Sequence, residues 1–151
     1  MRISETQQDA FRISTDPSLL DIAVIHQYLC YESYWARNIP RDLVEKSIAG
    51  SLCFGVYHEG RQIGFARVVT DEATFAYLAD VFILESYRGR GLSKWLMQTI
   101  MDEPRLQGLR RWMLATQDAH GLYAQFGFRA LDKPERIMGM KAFEEYPPRN
   151  S

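Results

Sequence analysis

The spacing of apolar residues along the chain switches repeatedly between the period of a helix and that of a strand. Residues 11–14 are predicted to form a first short strand. Asp16 and Pro17 then predict the start of a helix, because an Asp side chain accepts from free N–H groups and Pro has no N–H to satisfy. One face of this helix holds positions 19, 22, 23, 26 and 29. A second helix is predicted to begin at Pro40 and to end at Gly50.

The middle of the chain is strand-like. Residues 52–57 and 62–70 are predicted to form two strands of a hairpin that turns around Gly60. A short turn then leads into a third apolar run, residues 74–84. Because the links between these runs are short, the three strands are predicted to pair in antiparallel order.

The second half of the chain continues the alternation of helices and strands. Its predicted elements are a helix at 92–101, a strand at 109–116, a short helix at 119–126, an antiparallel strand pair at 128–131 and 136–142, and a short flexible tail from about residue 145. No repeat, linker or low-complexity segment interrupts this order. The sequence therefore predicts one α/β domain over residues 1–151, with a mixed, mostly antiparallel sheet flanked by helices.

Composition narrows the function classes. The 18 basic and 19 acidic side chains nearly balance, which argues against nucleic-acid binding by bulk electrostatics. No apolar run approaches the ~20 residues that span a bilayer, so no membrane contact is expected. Cys30 and Cys53 have neither metal-site nor redox spacing, and no metal is expected. Without a signal peptide, the two cysteines are expected to be free thiols in the cytoplasm.

The segment that carries the most chemistry is Arg88-Gly89-Arg90-Gly91-Leu92-Ser93. It lies between the predicted strand at 74–84 and the predicted helix at 92–101. Two glycines let the backbone approach an anion, the first N–H groups of a helix point at that anion, and the two arginines add charged donors. The dinucleotide fingerprint is excluded because Lys94 stands where a third small residue is needed, and the P-loop ending Gly-Lys-Ser/Thr is absent. The segment is predicted to cradle a phosphate group, with a solubilising surface turn as the alternative.

This phosphate loop resembles motif A of the GNAT superfamily of N-acetyltransferases, Arg/Gln-x-x-Gly-x-Gly/Ala, with Arg88 in the first place and Gly91 in the fourth. Ser93 departs from the usual Gly or Ala, but it is small enough to fit. A second segment is similar to the family's A-x-x-L-Y-x-x-x-G-F stretch, and it reads Ala119-x-x-Leu122-Tyr123-x-x-Phe126-Gly127-Phe128. The predicted order of elements also matches the family over nearly the whole chain.

The resemblance implies a GNAT-like fold whose strands splay around the arm of acetyl-CoA. It implies an acetyl-CoA-dependent N-acetyltransferase that acts on a primary amine by direct attack. Backbone groups before the loop are expected to pair with the pantetheine arm, at Phe82, Ile83 and Leu84. The pyrophosphate is expected to contact Arg88, Gly89, Arg90, Gly91, Leu92 and Ser93. Thr116 lies near where many relatives place an Asn that touches the coenzyme.

Tyr123 is the candidate general acid, because a phenol with a reference pKa of about 10 stays protonated until a thiolate forms. A hydroxyl that only bonds the backbone is the alternative. Asp80 is the candidate base, because a carboxylate inside an apolar strand is costly unless it is paired or functional, and its alternative role is a salt bridge to Arg67. Weaker base candidates are Glu32, Asp118 and His120. Capping of the short helix is the favoured interpretation for Asp118.

An aromatic cluster precedes the second predicted helix, with Tyr28, Tyr31, Tyr34 and Trp35 around Glu32. In the resembling fold this connection forms a wall of the acceptor site, so Tyr31, Glu32 and Trp35 are the candidate contacts for a cationic amine. Core packing or a homodimer contact would explain the same cluster. A small-molecule amine is favoured over a protein as the acceptor, and its identity stays open among a polyamine, an amino sugar, a small arylalkylamine, a free amino acid and a protein N-terminus. A non-catalytic acyl-CoA sensing module and a subunit of a protein-acetylating complex stay open as alternatives.

Overall fold

The structure, a computed structural model, describes residues 2–148. Its strands are β1 (Glu5–Gln8), β2 (Phe11–Ser14), β3 (Leu52–His58), β4 (Arg61–Thr70), β5 (Phe75–Ile83) and β6 (Arg111–Leu114). Its α-helices are α1 (Ile22–Gln27), α2 (Arg41–Ala49), α3 (Leu92–Met101) and α4 (His120–Ala124). None of the described helices is both long enough and apolar enough to cross a membrane.

All of these strands form one sheet in the order β1 to β6. Neighbouring strands from β1 to β5 are antiparallel, and β5 and β6 are parallel. This mixed, mostly antiparallel sheet confirms the predicted α/β fold class. The hairpin strands β3 and β4 and the helix α3 lie within one residue of their predicted bounds, because a tight turn and an uninterrupted helical period define them locally. β1 was not predicted, because its residues are polar and an edge strand needs no alternation of buried side chains.

α1 begins later than the sequence predicts. Asp16 caps only a single 3₁₀ turn, Pro17–Leu19, after which Leu20 is extended. Asp21 then caps α1 itself, and its Oδ1 accepts from the N–H of Val24 at 3.3 Å. Each aspartate therefore starts its own helical segment, and the extended residue between them interrupts the single helix that the periodicity indicated.

Helices cover both faces of the sheet. One face packs against α3, whose buried side chains are Leu92, Leu96, Met97 and Ile100. The opposite face packs against α1 and α2, and the fully buried residues there include Ile25, Val44 and Phe65. The neighbouring strand residues Phe54 and Phe65 belong to different faces, as the alternation of side chains along paired strands requires.

The predicted antiparallel pair at 128–131 and 136–142 is not formed. In its place the chain has a single 3₁₀ turn, Pro134–Arg136, and Met138 and Met140 beyond the turn are 93% and 96% exposed. The N–H groups of Arg136 and Ile137 donate to hydrogen bonds within this turn. A strand that began at Arg136 would need the same donors for its ladder, and Pro134 has no N–H to contribute. The local turn therefore replaces the strand.

The chain returns to the body of the protein at Tyr146. The carbonyl oxygen of Tyr146 accepts from Asn38 Nδ2 at 3.3 Å, and its ring lies 5.0 Å from that of Phe143. Tyr146 is half-buried against the cluster beneath α1 and α2. The part of the predicted tail beyond residue 148 lies outside the described residues.

Both cysteines are free and buried. Cys30 is 1% exposed and Cys53 is 6% exposed. Burial raises the pKa of the Cys53 thiol to about 12, although the charge of Arg67 lowers it in part. Because the thiolate is the reactive form of cysteine, Cys53 is a packing residue in this fold.

Candidate active site

β5 and β6 pair only at their first positions, where residues 75–78 run beside Arg111–Leu114. β6 then ends, whereas β5 continues to Ile83. The two strands part, and a gap opens between the end of β5 and the loop that follows β6. A strand edge without a neighbour presents backbone N–H and C=O groups to whatever enters such a gap.

A β-bulge lies where the strands part. Between the pairs Phe65–Phe82 and Arg67–Ala79, two residues of β5 oppose one residue of β4. The first of these two residues is Asp80, whose φ is +55°. Asp tolerates this left-handed region better than most residues other than glycine. Because a bulge bends its strand and re-aims a side chain, the carboxylate of Asp80 leaves the regular alternation of β5.

The Asp80 carboxylate is held by two N–H donors. Its Oδ2 accepts from Arg67 Nε at 2.7 Å, and its Oδ1 accepts from Trp35 Nε1 at 2.8 Å. Arg67 also donates from Nη1 to Ser51 Oγ at 3.1 Å. The Arg67 and Asp80 side chains are only 19% and 10% exposed. The salt bridge that was the alternative role of Asp80 is therefore present, and the carboxylate still has lone pairs for a further donor.

The glycine loop has the backbone that an anion cradle needs. Gly89 and Gly91 have φ values of +80° and +78°, and Leu92 begins α3 directly afterwards. A Cβ built on either glycine would meet no protein atom within 4 Å, so the space before the helix is open. Arg90 lies at the loop surface, with its guanidinium 5.3 Å from the ring centre of Tyr87.

Arg88 ties the loop to the end of β5. Its Nε donates to the carbonyl oxygen of Ile83 at 3.0 Å, and its Nη2 donates to the hydroxyl of Tyr28 at 2.9 Å. Leu84 is also engaged within the protein, because its N–H donates to Ile63 and its C=O accepts from Tyr87, both at 2.9 Å. Successive residues of a strand point their N–H groups to opposite sides, so the N–H of Ile83 faces the gap. Of the backbone groups of Ile83 and Leu84, that N–H is the one left for a ligand.

One large pocket occupies the gap and the adjoining face of the sheet. Its volume is about 990 Å³, which suits a small-molecule ligand. Its aromatic lining residues are Tyr34, Trp35, Tyr77, Tyr123 and Tyr146. Its charged lining residues are Lys46, Arg67, Asp80 and Asp118.

Tyr123 brings a protonated phenol to this pocket. Burial raises the pKa of Tyr123 to about 12, and Tyr34 and Asp118 add smaller contributions in the same direction. The ring of Tyr123 meets that of Phe128 edge-on at 6.1 Å, which restricts its orientation. The hydroxyl therefore remains a proton donor throughout the neutral range.

Thr116 lines the pocket and holds the turn that precedes α4. Its Oγ1 accepts from the N–H of Ala119 at 3.0 Å and from the N–H of Asp118 at 3.4 Å. The capping role predicted for Asp118 is wrong, because Ala119 is the N-cap residue of α4 and no side chain accepts from the first N–H groups of this helix. Asp118 instead contributes a carboxylate to the pocket lining, whereas His120 and Glu32 lie outside that lining.

Residues 17–128 match the sequence model of the acetyltransferase (GNAT) family. The chain belongs to the GNAT family. A crystal structure of a protein assigned to this family, from Xanthomonas campestris, is 54% identical and has a TM-score of 0.86, over 87% of this chain and 93% of that chain. A Gibberella zeae protein named as an acetyltransferase is 33% identical over 90% of this chain and 82% of its own length. A Clostridium acetobutylicum protein crystallised with acetyl-CoA shares the fold at 13% identity, with a TM-score of 0.62 over 93% of this chain and 95% of that chain.

This GNAT chain brings only part of the predicted acceptor set into the pocket. Trp35 lines the pocket and donates to Asp80. Tyr31 is 61% exposed, lies edge-on to His26 at 6.2 Å, and is outside the lining together with Glu32. The aromatic cluster is therefore divided between the pocket and the surface.

Several lining residues were not among the predicted contacts, and they include Tyr34, Lys46, Tyr77 and Tyr146. The Tyr34 hydroxyl accepts from the N–H of Gln117 at 2.8 Å, across 83 residues of sequence. Lys46 could have been found from helical spacing, since it lies three residues after Leu43 on the pocket side of α2. No pattern in the sequence around Tyr146 predicts that this residue lines the pocket.

We expect Asp80→Asn to lower the free energy of unfolding by about 2–3 kcal/mol, because it removes the charged partner of the mostly buried Arg67. Asn also tolerates the positive φ of Asp80, so the change isolates the charge. Urea unfolding measures the loss. A double-mutant cycle with Arg67→Met then reports the coupling between the two side chains.

The pH–rate profile of Asp80→Asn separates the salt bridge from proton transfer. If Asp80 also acts as a general base toward the acceptor, we expect the activity lost at neutral pH to recover in part at high pH, where more of the acceptor is deprotonated. A stable variant that shows no coupling to Arg67 would contradict the structural role that the contacts assign to Asp80.

Proposed function

We propose that the chain is an N-acetyltransferase that transfers the acetyl group of acetyl-CoA to a primary amine by direct attack. The observation that carries this proposal is that the glycine loop follows the open end of β5 directly along the chain, while Tyr123 lines the pocket in the gap beside β5. Two proteins of the same fold, from Clostridium acetobutylicum and Elizabethkingia anophelis, were crystallised with acetyl-CoA. The cosubstrate supplies the acetyl group as a reactive thioester.

The residues around the gap fit the chemistry of the coenzyme. The pyrophosphate binds at the start of α3, where Gly91 keeps the approach open and the N–H groups of the first turn are free to donate. Arg90 adds a positive charge, and Arg88 holds the loop against the end of β5. The pantetheine arm pairs with the edge of β5, beginning at the N–H of Ile83.

The acceptor amine attacks the thioester carbonyl carbon from the wide part of the pocket. The nitrogen lone pair forms the new C–N bond, and the C–S bond breaks with its electron pair leaving on sulfur. Tyr123 donates its hydroxyl proton to the departing thiolate. The proton lost by the attacking nitrogen passes to Asp80, directly or through water.

The raised pKa of Tyr123 is compatible with this role. A phenol with a pKa of about 12 does not ionise before the thiolate appears. Desolvation disfavours the charged form of any acid of this kind, so a thiol in the same gap also becomes harder to ionise. The thiolate that leaves is therefore more basic than it would be in water, and it draws the proton from Tyr123.

The pocket favours a small acceptor. The contact between the Tyr34 hydroxyl and the N–H of Gln117 links the segment before α2 to the loop after β6, and both residues line the pocket. The pocket volume of about 990 Å³ lies in the range of small-molecule sites. The free, buried thiols of Cys30 and Cys53 are consistent with the reducing conditions of the cytoplasm.

A panel of primary amines, assayed with acetyl-CoA by release of free thiol, tests the proposed function. We expect at least one amine to raise the rate above the background hydrolysis of the thioester. The buried cysteines of the protein keep the background thiol signal low. Tight binding of the coenzyme without turnover of any amine would instead favour a non-catalytic acyl-CoA sensor.

We expect Gly91→Val to weaken acetyl-CoA binding at least tenfold, because the side chain enters the open cradle before α3. Gly108→Val is the matched control. Gly108 has the same φ of +78° and the same open surroundings, so it carries the same backbone strain away from the loop. Isothermal titration calorimetry measures both affinities, and melting temperatures check both folds. Equal affinities in the two variants would reject the loop as the pyrophosphate site.

We expect Tyr123→Phe to lower turnover by roughly 10²- to 10⁴-fold while coenzyme affinity changes little, because the general acid is lost and the ring remains. Tyr57→Phe is the control, since the Tyr57 hydroxyl is buried without a hydrogen-bond partner among the described residues and lies outside the pocket lining. Pre-steady-state measurements identify the conditions in which chemistry limits the rate.

The pH dependence gives a second readout for Tyr123. Because the pKa of about 12 is raised, the proton is present below that value and is lost only as the pH rises through it. The parent enzyme is therefore expected to show no descending limb from Tyr123 between pH 7 and about pH 10. A turnover number that is unchanged in Tyr123→Phe would assign the residue to packing.

A further inference from the structure

The pocket contains two paired charges and two unpaired ones. Arg67 and Asp80 form a salt bridge, so their charges largely cancel. Lys46 and Asp118 also line the pocket. Within residues 2–148, neither of their side chains takes part in an ion pair. The charges that remain to attract or repel an acceptor are therefore those of Lys46 and Asp118.

Lys46 and Asp118 lie on different elements around the pocket. Lys46 lies in the last turn of α2, on the stripe that Leu43 and Ser47 also present to the pocket. Asp118 lies in the loop after β6, and its charge contributes to the raised pKa of Tyr123. The anion is therefore on the side of the reacting groups, and the cation is on the side of α2.

Besides Lys46, Ser47 and the salt bridge, the α2 side presents apolar side chains. Ile39, Leu43 and Trp35 line it, and the ring of Tyr146 borders it. An acceptor that reaches from Tyr123 to Lys46 therefore passes over aromatic and aliphatic side chains. Such a lining favours an acceptor whose middle part is apolar. The two ends of that acceptor then contact the charged side chains of Lys46 and Asp118.

We propose that the acceptor carries an anionic group in addition to its amine, and that Lys46 binds this group while the amine faces Asp80 and Asp118. This inference rests on the proposed function and names the substrate class of the same pocket. A carboxylate and a phosphate both have the required charge. A polyamine does not have this charge, because its second ammonium group would come to Lys46, and the repulsion between like charges disfavours a wrong ligand.

Matched pairs of amines test the requirement for an anion. Phenylalanine and 2-phenylethylamine differ by the carboxylate, and glucosamine 6-phosphate and glucosamine differ by the phosphate. We expect kcat/KM to be at least tenfold higher for the anionic member of one pair, and the responding pair identifies the carboxylate or the phosphate as the source of the charge. Spermidine is expected to be a poor acceptor. A parent enzyme that prefers spermidine or the amines without an anion overturns the proposal.

Substitutions of Lys46 test its part directly. Lys46→Met keeps the length of the side chain and removes the charge, so KM for the anionic acceptor should rise at least tenfold while its partner without the anion is unaffected. Lys46→Glu should shift the preference toward spermidine. Lys133→Met is the control, because Lys133 is exposed in the segment after Phe128 and lies outside the pocket lining. An equal effect of Lys46→Met on both members of a pair would remove Lys46 from acceptor recognition.

Binding measurements keep this inference distinct from the proposed function. If acetyl-CoA binds but no amine is turned over, the N-acetyltransferase proposal fails. Calorimetric titration of the same amines into the protein saturated with coenzyme A then still tests the anion site. Tighter binding of the anionic members, lost in Lys46→Met, supports the inference, and equal binding of both members overturns it.

Discussion

The early end of β6 is the constraint on which the rest of the structure depends. Because β6 stops beside Leu78 while β5 continues to Ile83, one edge of β5 keeps unpaired backbone groups within the fold. An unpaired edge is a ready template for another extended chain, and proteins bend or cover such edges. Here the bulge at Asp80 bends the edge, and α2 and the loop after β6 enclose it. The gap, the pocket and the position of the glycine loop all follow from this interruption.

The salt bridge between Asp80 and Arg67 stands at the bend, and its chemistry indicates more than a structural role. Removing two charges from water costs several kcal/mol for each ion, and the bonds from Trp35 and to Ser51 offset only part of this cost. An apolar pair of similar volume would hold two strands together without that cost. Both charged side chains line the pocket, where the proposed mechanism uses the carboxylate of Asp80.

Sequence reasoning succeeded where the deciding interactions are local. The turn at Gly60 and the helical period of α3 correctly predicted the hairpin and the helix. Sequence reasoning failed where two local signals compete, as with the successive aspartates before α1. It could not place Tyr146 in the pocket, because the position of Tyr146 depends on contacts between segments that are distant along the chain.

Tyr28 connects the aromatic cluster before α2 to the glycine loop. Its ring stacks on Phe82 of β5 at 4.0 Å, and its hydroxyl accepts from Arg88 of the glycine loop. Trp35, which holds Asp80, lies 6.4 Å from the same tyrosine ring. The side chain of Tyr28 therefore contacts β5 and the glycine loop and lies near the tryptophan that holds the Asp80 carboxylate. A single packed ring connects these parts of the site, because side chains in a protein interior are close-packed.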